Sequence, residues 1–159
     1  MVPNSVKRNS KPISKIVRNY QVNVRVNVSS DESIPTMATD ESYTLSIESQ
    51  PTAASVAIVA KSFFGARHAL ETLSQLIAWD ETASSYLLIS EAQIADSPAF
   101  LHRGLLLDTS RNYVSVAALK RILDAMSYDK LNVLHWVFEA ANFNIGFISM
   151  HLILIFNDI

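Results

Sequence analysis

The chain has 159 residues, 49% of them hydrophobic, and a formal net charge of −2, which suits one domain with a real core and leaves no room for a second full domain. The charge excludes a dedicated nucleic-acid or polyanion binder, which needs a basic stripe for its phosphate contacts. Cysteine is absent and the histidines (His68, His102, His135 and His151) are scattered, so no disulfide framework, no metal site and no cofactor is expected.

The opening MVPNSVKRNSKPISK is polar and basic, with no acid before Asp31 and no apolar stretch of the kind a signal peptide requires. Residues 1–19 are expected to form a disordered basic tail, a nuclear-localisation signal being the alternative. From Tyr20 the pattern is regular. Tyr20, Val22, Val24, Val26 and Val28 alternate with polar residues, the period of a half-buried strand. Ser29 to Met37 is a loop, YTLSI (Tyr43 to Ile47) a second strand, and SVAIVA (Ser55 to Ala60) a third. The period then becomes helical: Ala66, Ala69/Leu70, Leu73 and Leu76/Ile77 form an apolar stripe, which predicts a helix over 65–77. Trp79 to Ser85 is a turn and SYLLIS (Ser85 to Ser90) a fourth strand. Strands under a helix make a small α+β domain over residues 20–97, closing at Asp96-Ser97-Pro98.

After Pro98 the style changes. GLLLD (Gly104 to Asp108) is a continuous apolar run, expected to be a parallel strand buried on both faces. A helix follows, with Ser115 as N-cap and Val116, Leu119, Ile122/Leu123 and Met126 as its buried stripe. NVLHW (Asn132 to Trp136) is the next strand. Together they make one βαβ unit, far short of the roughly 250 residues of a closed (β/α)8 barrel. FISMHLILIF (Phe147 to Phe156) is about half the length of a spanning helix, so no membrane span is expected.

Four segments fall in a telling order: DESYTLSI (Asp40 to Ile47), SFFGARHALETLSQLI (Ser62 to Ile77), DSPAFLHRGLLLDTSRNY (Asp96 to Tyr113) and LDAMSYDKLNVLHW (Leu123 to Trp136). From about Tyr20 to Trp136 the chain resembles the β-N-acetylhexosaminidases of glycoside hydrolase family 20. The resemblance implies an α+β N-terminal domain (residues 20–97) followed by the first βαβ unit of an incomplete (β/α)8 TIM barrel (residues 98–136). It implies a glycosidase that removes terminal β-linked N-acetylglucosamine or N-acetylgalactosamine from oligosaccharides, glycoconjugates or chitin fragments. In that mechanism the substrate's own acetamido oxygen attacks the anomeric carbon, a glutamic acid protonates the leaving oxygen, and the preceding aspartate orients the acetamido group. The partners implied are N-acetylhexosamine-terminated glycans, and the resemblance leaves homodimerisation open.

The resemblance also assigns residues. Arg111 matches the arginine whose planar guanidinium grips the terminal sugar's hydroxyls, at the rim where barrel active sites are built. Asp108 is expected to orient Arg111, and His135 matches the first histidine of a His-Trp-His run, in the pocket or packed within its strand. His102 and Arg103 precede the barrel strand and are expected to serve stability. The family's catalytic Asp-Glu pair falls on a later barrel strand, so no catalytic residue is expected in this chain. Asp31-Glu32, Asp40-Glu41 and Asp80-Glu81 are expected to be solvated turn carboxylates. Asn27-Val28-Ser29 fits a glycosylation acceptor but sits in a strand.

The likeness stops after His135-Trp136. Residues 137–159 are rich in Phe, Ile and Asn, with A/T-rich codons, and every valine codon begins with GT. An unrelated tail from intron read-through is the expectation. On this reading the chain is an inactive piece of a hydrolase; the alternative is a non-catalytic interaction module, a short isoform pairing with a full-length subunit. Family members work in lysosomes or outside the cell, whereas a signal peptide is missing from this sequence.

Overall fold

The alternating valines become strand β1 (Gln21–Val28), followed by β2 (Tyr43–Ser49), β3 (Ala53–Ala60), helix α1 (Phe63–Gln75), β4 (Ile77–Asp80), β5 (Ser85–Leu88) and β6 (Glu91–Asp96). The computed structural model describes residues 20–32, 34–142 and 146–155. The basic tail expected over residues 1–19 lies outside them. The chain divides into two compact units, Met1–Ser33 with Thr39–Ala99, and Ile34–Ala38 with Phe100–Ile159.

In the first unit four strands form a sheet in the order β1-β3-β2-β6, with β1 parallel to β3 and β2 antiparallel to both its neighbours. Alternation places Leu45, Ile47, Val56 and Ile58 on one face, each no more than 1% exposed. Ala66, Ala69 and Leu73 of α1 close over them. Each large aliphatic side chain buried this way contributes about 1.5–3 kcal/mol. The buried Tyr43 ties three elements together: its hydroxyl donates to Asp96 Oδ2 of β6 at 2.8 Å and lies 2.6 Å from Thr72 Oγ1 of α1.

Helix α1 starts two residues before the predicted Gly65, because Ser62 is its cap. Ser62 Oγ accepts from Gly65 N at 3.3 Å and donates to the Asp40 carbonyl at 2.6 Å. Gly65 is therefore no boundary. A Cβ there would lie 2.7 Å from the Ser42 carbonyl oxygen, so glycine lets the helix approach the segment before β2. One turn on, His68 Nε2 meets Glu41 Oε1 at 3.4 Å, with side chains 2% and 11% exposed. Glu41 is thus packed under the helix, contrary to the solvated role expected of it.

The helix ends at Gln75, and Ile77, expected on its stripe, opens β4 instead. The turn expected over 79–85 narrows to the tip of a β4–β5 hairpin. Asp80 Oδ1 accepts from Thr82 N and Ala83 N, and Ser84 adopts a left-handed φ of 46°. Trp79 opposes Tyr86 across it, rings 5.0 Å apart and edge to face. Strand β6, which completes the sheet, has no counterpart in the sequence reading.

The second unit contains β7 (Gly104–Asp108), α2 (Val116–Tyr128), β8 (Val133–Asn142) and β9 (Gly146–Ile155), in a sheet of order β7-β8-β9. Strands β7 and β8 are parallel and joined through α2, a βαβ unit. Ser115 caps α2 as expected, its Oγ accepting from Ala118 N at 3.2 Å. Two expectations fail. GLLLD is not buried on both faces: Leu105 is 37% and Leu106 60% exposed, with β8 as the strand's single described neighbour. The helical stripe is only partly covered, Met126 being buried while Val116 is 68% exposed. The segment after Trp136 extends β8 to Asn142 and returns as β9, pairing from Val133↔Ile155 to Asn142↔Gly146. A nearly continuous apolar run carries no alternation to read, yet it supplies a strand once an edge is available.

Backbone clamps hold the start of β7. Arg103 Nε and Nη1 donate to the Lys130 and Phe100 carbonyls at 2.8 Å each. Asn132 Oδ1 accepts from Arg103 N, and Asn132 Nδ2 donates to the Leu101 carbonyl, both at 2.9 Å. Arg103 thus bonds to backbone. No described helix is long and apolar enough to cross a membrane.

Gly65→Ala is expected to destabilise the first unit by about 1–3 kcal/mol, since its methyl meets rigid backbone. Gly104→Ala should cost less, because its methyl meets the movable imidazole of His102. Urea unfolding monitored by circular dichroism measures both; equal midpoints would refute the packing role given to Gly65.

Candidate functional site

Beyond Asp108 the chain turns away from the sheet, and its side chains build the turn. Asp108 Oδ1 accepts from Ser110 N at 2.9 Å, the local bond by which aspartate closes a turn. Asp108 Oδ2 accepts from Arg111 Nε at 2.7 Å and lies 2.5 Å from Arg111 Nη2. Two nitrogens of the guanidinium therefore share one carboxylate oxygen, and Nη1 makes no hydrogen bond among the described residues. The Arg111 side chain is 83% exposed against 19% for Asp108. The carboxylate fixes one edge of the fork and the remaining N–H groups point to solvent. Asp108 and Arg111, chosen from the sequence, are in direct contact.

Two residues not singled out in the sequence hold this turn on the sheet. Thr109 N donates to the Val137 carbonyl at 2.8 Å. Thr109 Oγ1 donates to the same carbonyl at 3.2 Å and accepts from Trp136 Nε1 at 2.9 Å. Thr109 next to Asp108 was the available signal, since both side chains can close turns on backbone groups. Ser110 Oγ is buried without a partner in the same turn.

His135 lies on β8, opposite Leu106 of β7 and Ile153 of β9. Asp108 opposes Val137, so His135 and Asp108 share a sheet face, one register step apart along the strands. His135 is partly buried there.

The Asp-Glu pairs all lie in the first unit. Glu32 Oε1 accepts from Thr39 Oγ1 at 2.9 Å, Asp40 Oδ1 from Ser42 N at 2.9 Å, and Asp80 closes its hairpin. Glu41 faces His68. Among the described residues no group of three or more His, Asp and Glu is placed to hold a metal ion.

Residues 2–76 match the family described as "beta-acetyl hexosaminidase like", and residues 100–145 match the glycosyl hydrolase family 20 catalytic domain. The chain belongs to glycoside hydrolase family 20. The family 20 catalytic match takes in the whole Asp108–Arg111 turn and runs past Trp136. Among curated relatives, the chitooligosaccharidolytic β-N-acetylglucosaminidase of Ostrinia furnacalis is 43% identical over 112 residues, 70% of this chain and 19% of that protein. The β-hexosaminidase subunit beta of Mus musculus is 45% identical over 105 residues, 66% of this chain and 18% of that protein. The chain thus spans about a fifth of the length of these family 20 relatives. Among solved structures, the Flavobacterium johnsoniae chitobiase superposes with a TM-score of 0.62 at 28% identity, over 84% of this chain and 26% of that one.

The hydrogen bond from Arg111, followed by that from Ser110 N, holds the Asp108 carboxyl below the ordinary carboxylate pKa. A carboxyl lowered on folding contributes stability above its unfolded pKa, and the contribution is lost as pH falls through the folded value. Carboxyl-carbon NMR titration should find the Asp108 midpoint below that of an unfolded aspartate, and Arg111→Ala should move it upward. An unmoved midpoint would show that Arg111 does not act on Asp108.

Proposed function

We propose that this chain is part of a β-N-acetylhexosaminidase, to which it contributes the N-terminal α+β domain and the first βαβ unit of a (β/α)8 barrel. The substrates are glycans ending in β-linked N-acetylglucosamine or N-acetylgalactosamine, including chitin fragments, cleaved by substrate-assisted hydrolysis. The observation that carries this reading is the Asp108–Arg111 pair at the C-terminal end of β7, inside the segment that matches the family 20 catalytic domain. Barrel enzymes build their sites at that end of their strands. The names of the insect and mouse relatives support the same substrate class.

On this reading Arg111 offers its outward N–H groups to hydroxyls of the terminal sugar. Asp108 is a positioning residue: it holds the guanidinium at Nε and Nη2, so that the free donors keep a fixed direction. His135 supports the pocket from the same sheet face. The general acid and the acetamido-orienting aspartate are contributed by sequence other than residues 1–159. The site of action is a lysosome or the cell exterior.

The 159-residue chain alone is expected to release no chromophore from 4-nitrophenyl N-acetyl-β-glucosaminide. Without the general acid it loses roughly 10²–10⁴-fold in rate, and more with the rest of the pocket. Turnover above a heat-treated control, in protein free of host hydrolases, would overturn this.

In a longer protein containing the chain, Arg111→Lys should lower kcat/KM about 5- to 150-fold, equivalent to ~1–3 kcal/mol of unmatched polar contact. Lysine keeps the charge but not the planar fork. Unchanged kcat/KM would remove Arg111 from the sugar site.

A further inference from the structure

Asn27-Val28-Ser29 is the single Asn-X-Ser/Thr motif in the sequence. Asn27 is the last residue of β1 on the solvent face of the sheet. Its neighbours Val26 and Val28 take the face that carries the core, where Val28 packs against the core cluster. On the opposite face Asn27 pairs in register with Val59, Val59 with Thr44, and Thr44 with Ala95. All four are exposed, Val59 by 47%, and no side chain in this row is bulky. Ser29 keeps the parity of Asn27 where the chain bends out of the sheet. Its N–H still donates to the Ala60 carbonyl at 3.2 Å, and the residue is exposed. Neither side chain makes a hydrogen bond among the described residues. Asn132 is the contrast, with its amide engaged at both the oxygen and the nitrogen.

We propose that Asn27 is an N-glycosylation site whose glycan lies over the open row of Val59, Thr44 and Ala95. An acceptor needs a free asparagine amide, a hydroxyl two residues on, and room for a bulky polar group. A strand is an unpromising place for such a motif when both its faces are covered. Here the period of two that makes β1 a strand sets Asn27 and Ser29 on one side, away from the core. The donor is an oligosaccharide carried on a lipid diphosphate. Asn27 Nδ2 forms a bond to the anomeric carbon of the first N-acetylglucosamine, and the bond from that carbon to the diphosphate oxygen breaks. The lipid diphosphate leaves and the amide gives up one proton. Because the change is on a side chain facing solvent, the pairing of β1 with β3 stays intact. The apolar faces of the sugars then cover Val59, and Thr44 offers its hydroxyl to theirs. The proposal rests on the lysosomal or extracellular reading for its compartment alone.

The full 159-residue chain, preceded by a cleavable signal peptide, is translated in the presence of microsomes. It should gain the mass of one glycan, removable by peptide-N-glycosidase. Asn27→Gln and Ser29→Ala should each abolish the gain, and Ser29→Thr should keep it. Purified from secretory cells, the modified chain should show the same circular dichroism as Asn27→Gln, because the glycan stands on the solvent face. If Asn27→Gln fails to fold, Ser29→Ala serves as the unmodified reference. A wild type that stays unmodified, a glycan that persists in Asn27→Gln, or a modified chain that has lost its sheet signal would each overturn the proposal. The added leader supplies the compartment whatever the protein's activity, so failure here leaves the glycosidase reading standing. Failure of that reading shows instead in the Arg111→Lys assay, in which Asn27 has no part.

Discussion

The first unit depends on how closely α1 can approach the segment before β2. Gly65 meets the Ser42 carbonyl where a methyl group would not fit. Ser62 caps the helix and binds the Asp40 carbonyl at once, and His68 meets Glu41 beneath it. These contacts lock DESY to SFFGARH, segments distant in sequence. Once they are made, the register of α1 on the sheet follows: Ala66, Ala69 and Leu73 have nowhere to go but over Leu45, Ile47, Val56 and Ile58. The small residues on the helix serve the same end, since bulkier ones would hold it off the strands.

In the second unit side chains fasten the backbone at both ends of β7. Arg103 and Asn132 fasten the entry to β7, and Thr109 with Trp136 fastens its exit. Arg111 lies between the Asp108 carboxylate, which holds its Nε edge, and solvent, in which most of its side chain stands. The apolar faces around this frame are less complete. Leu106 and Val116 remain largely exposed, whereas Met126, Val133 and Leu134 are buried.

The sequence by itself determined the elements with strong periods or caps. The valine alternation of β1, the YTLSI strand and the Ser115 cap of α2 are local properties, readable because side-chain spacing and capping chemistry act within a few residues. The pairing of Asp108 with Arg111 was equally legible, since three residues of turn bring them together. The structure alone decided what depends on partners distant in the chain. β6 became a strand because β2 offered it an edge, and residues 146–155 became one because β8 did. Ile77 left the helix for a hairpin with Leu88. Glu41 was partly covered beside a histidine 27 positions away, and GLLLD stayed half-exposed because exposure is set by what covers a strand, not by its own composition. Spacing along a chain specifies which face a residue takes; only the packed structure specifies whether anything lies against that face.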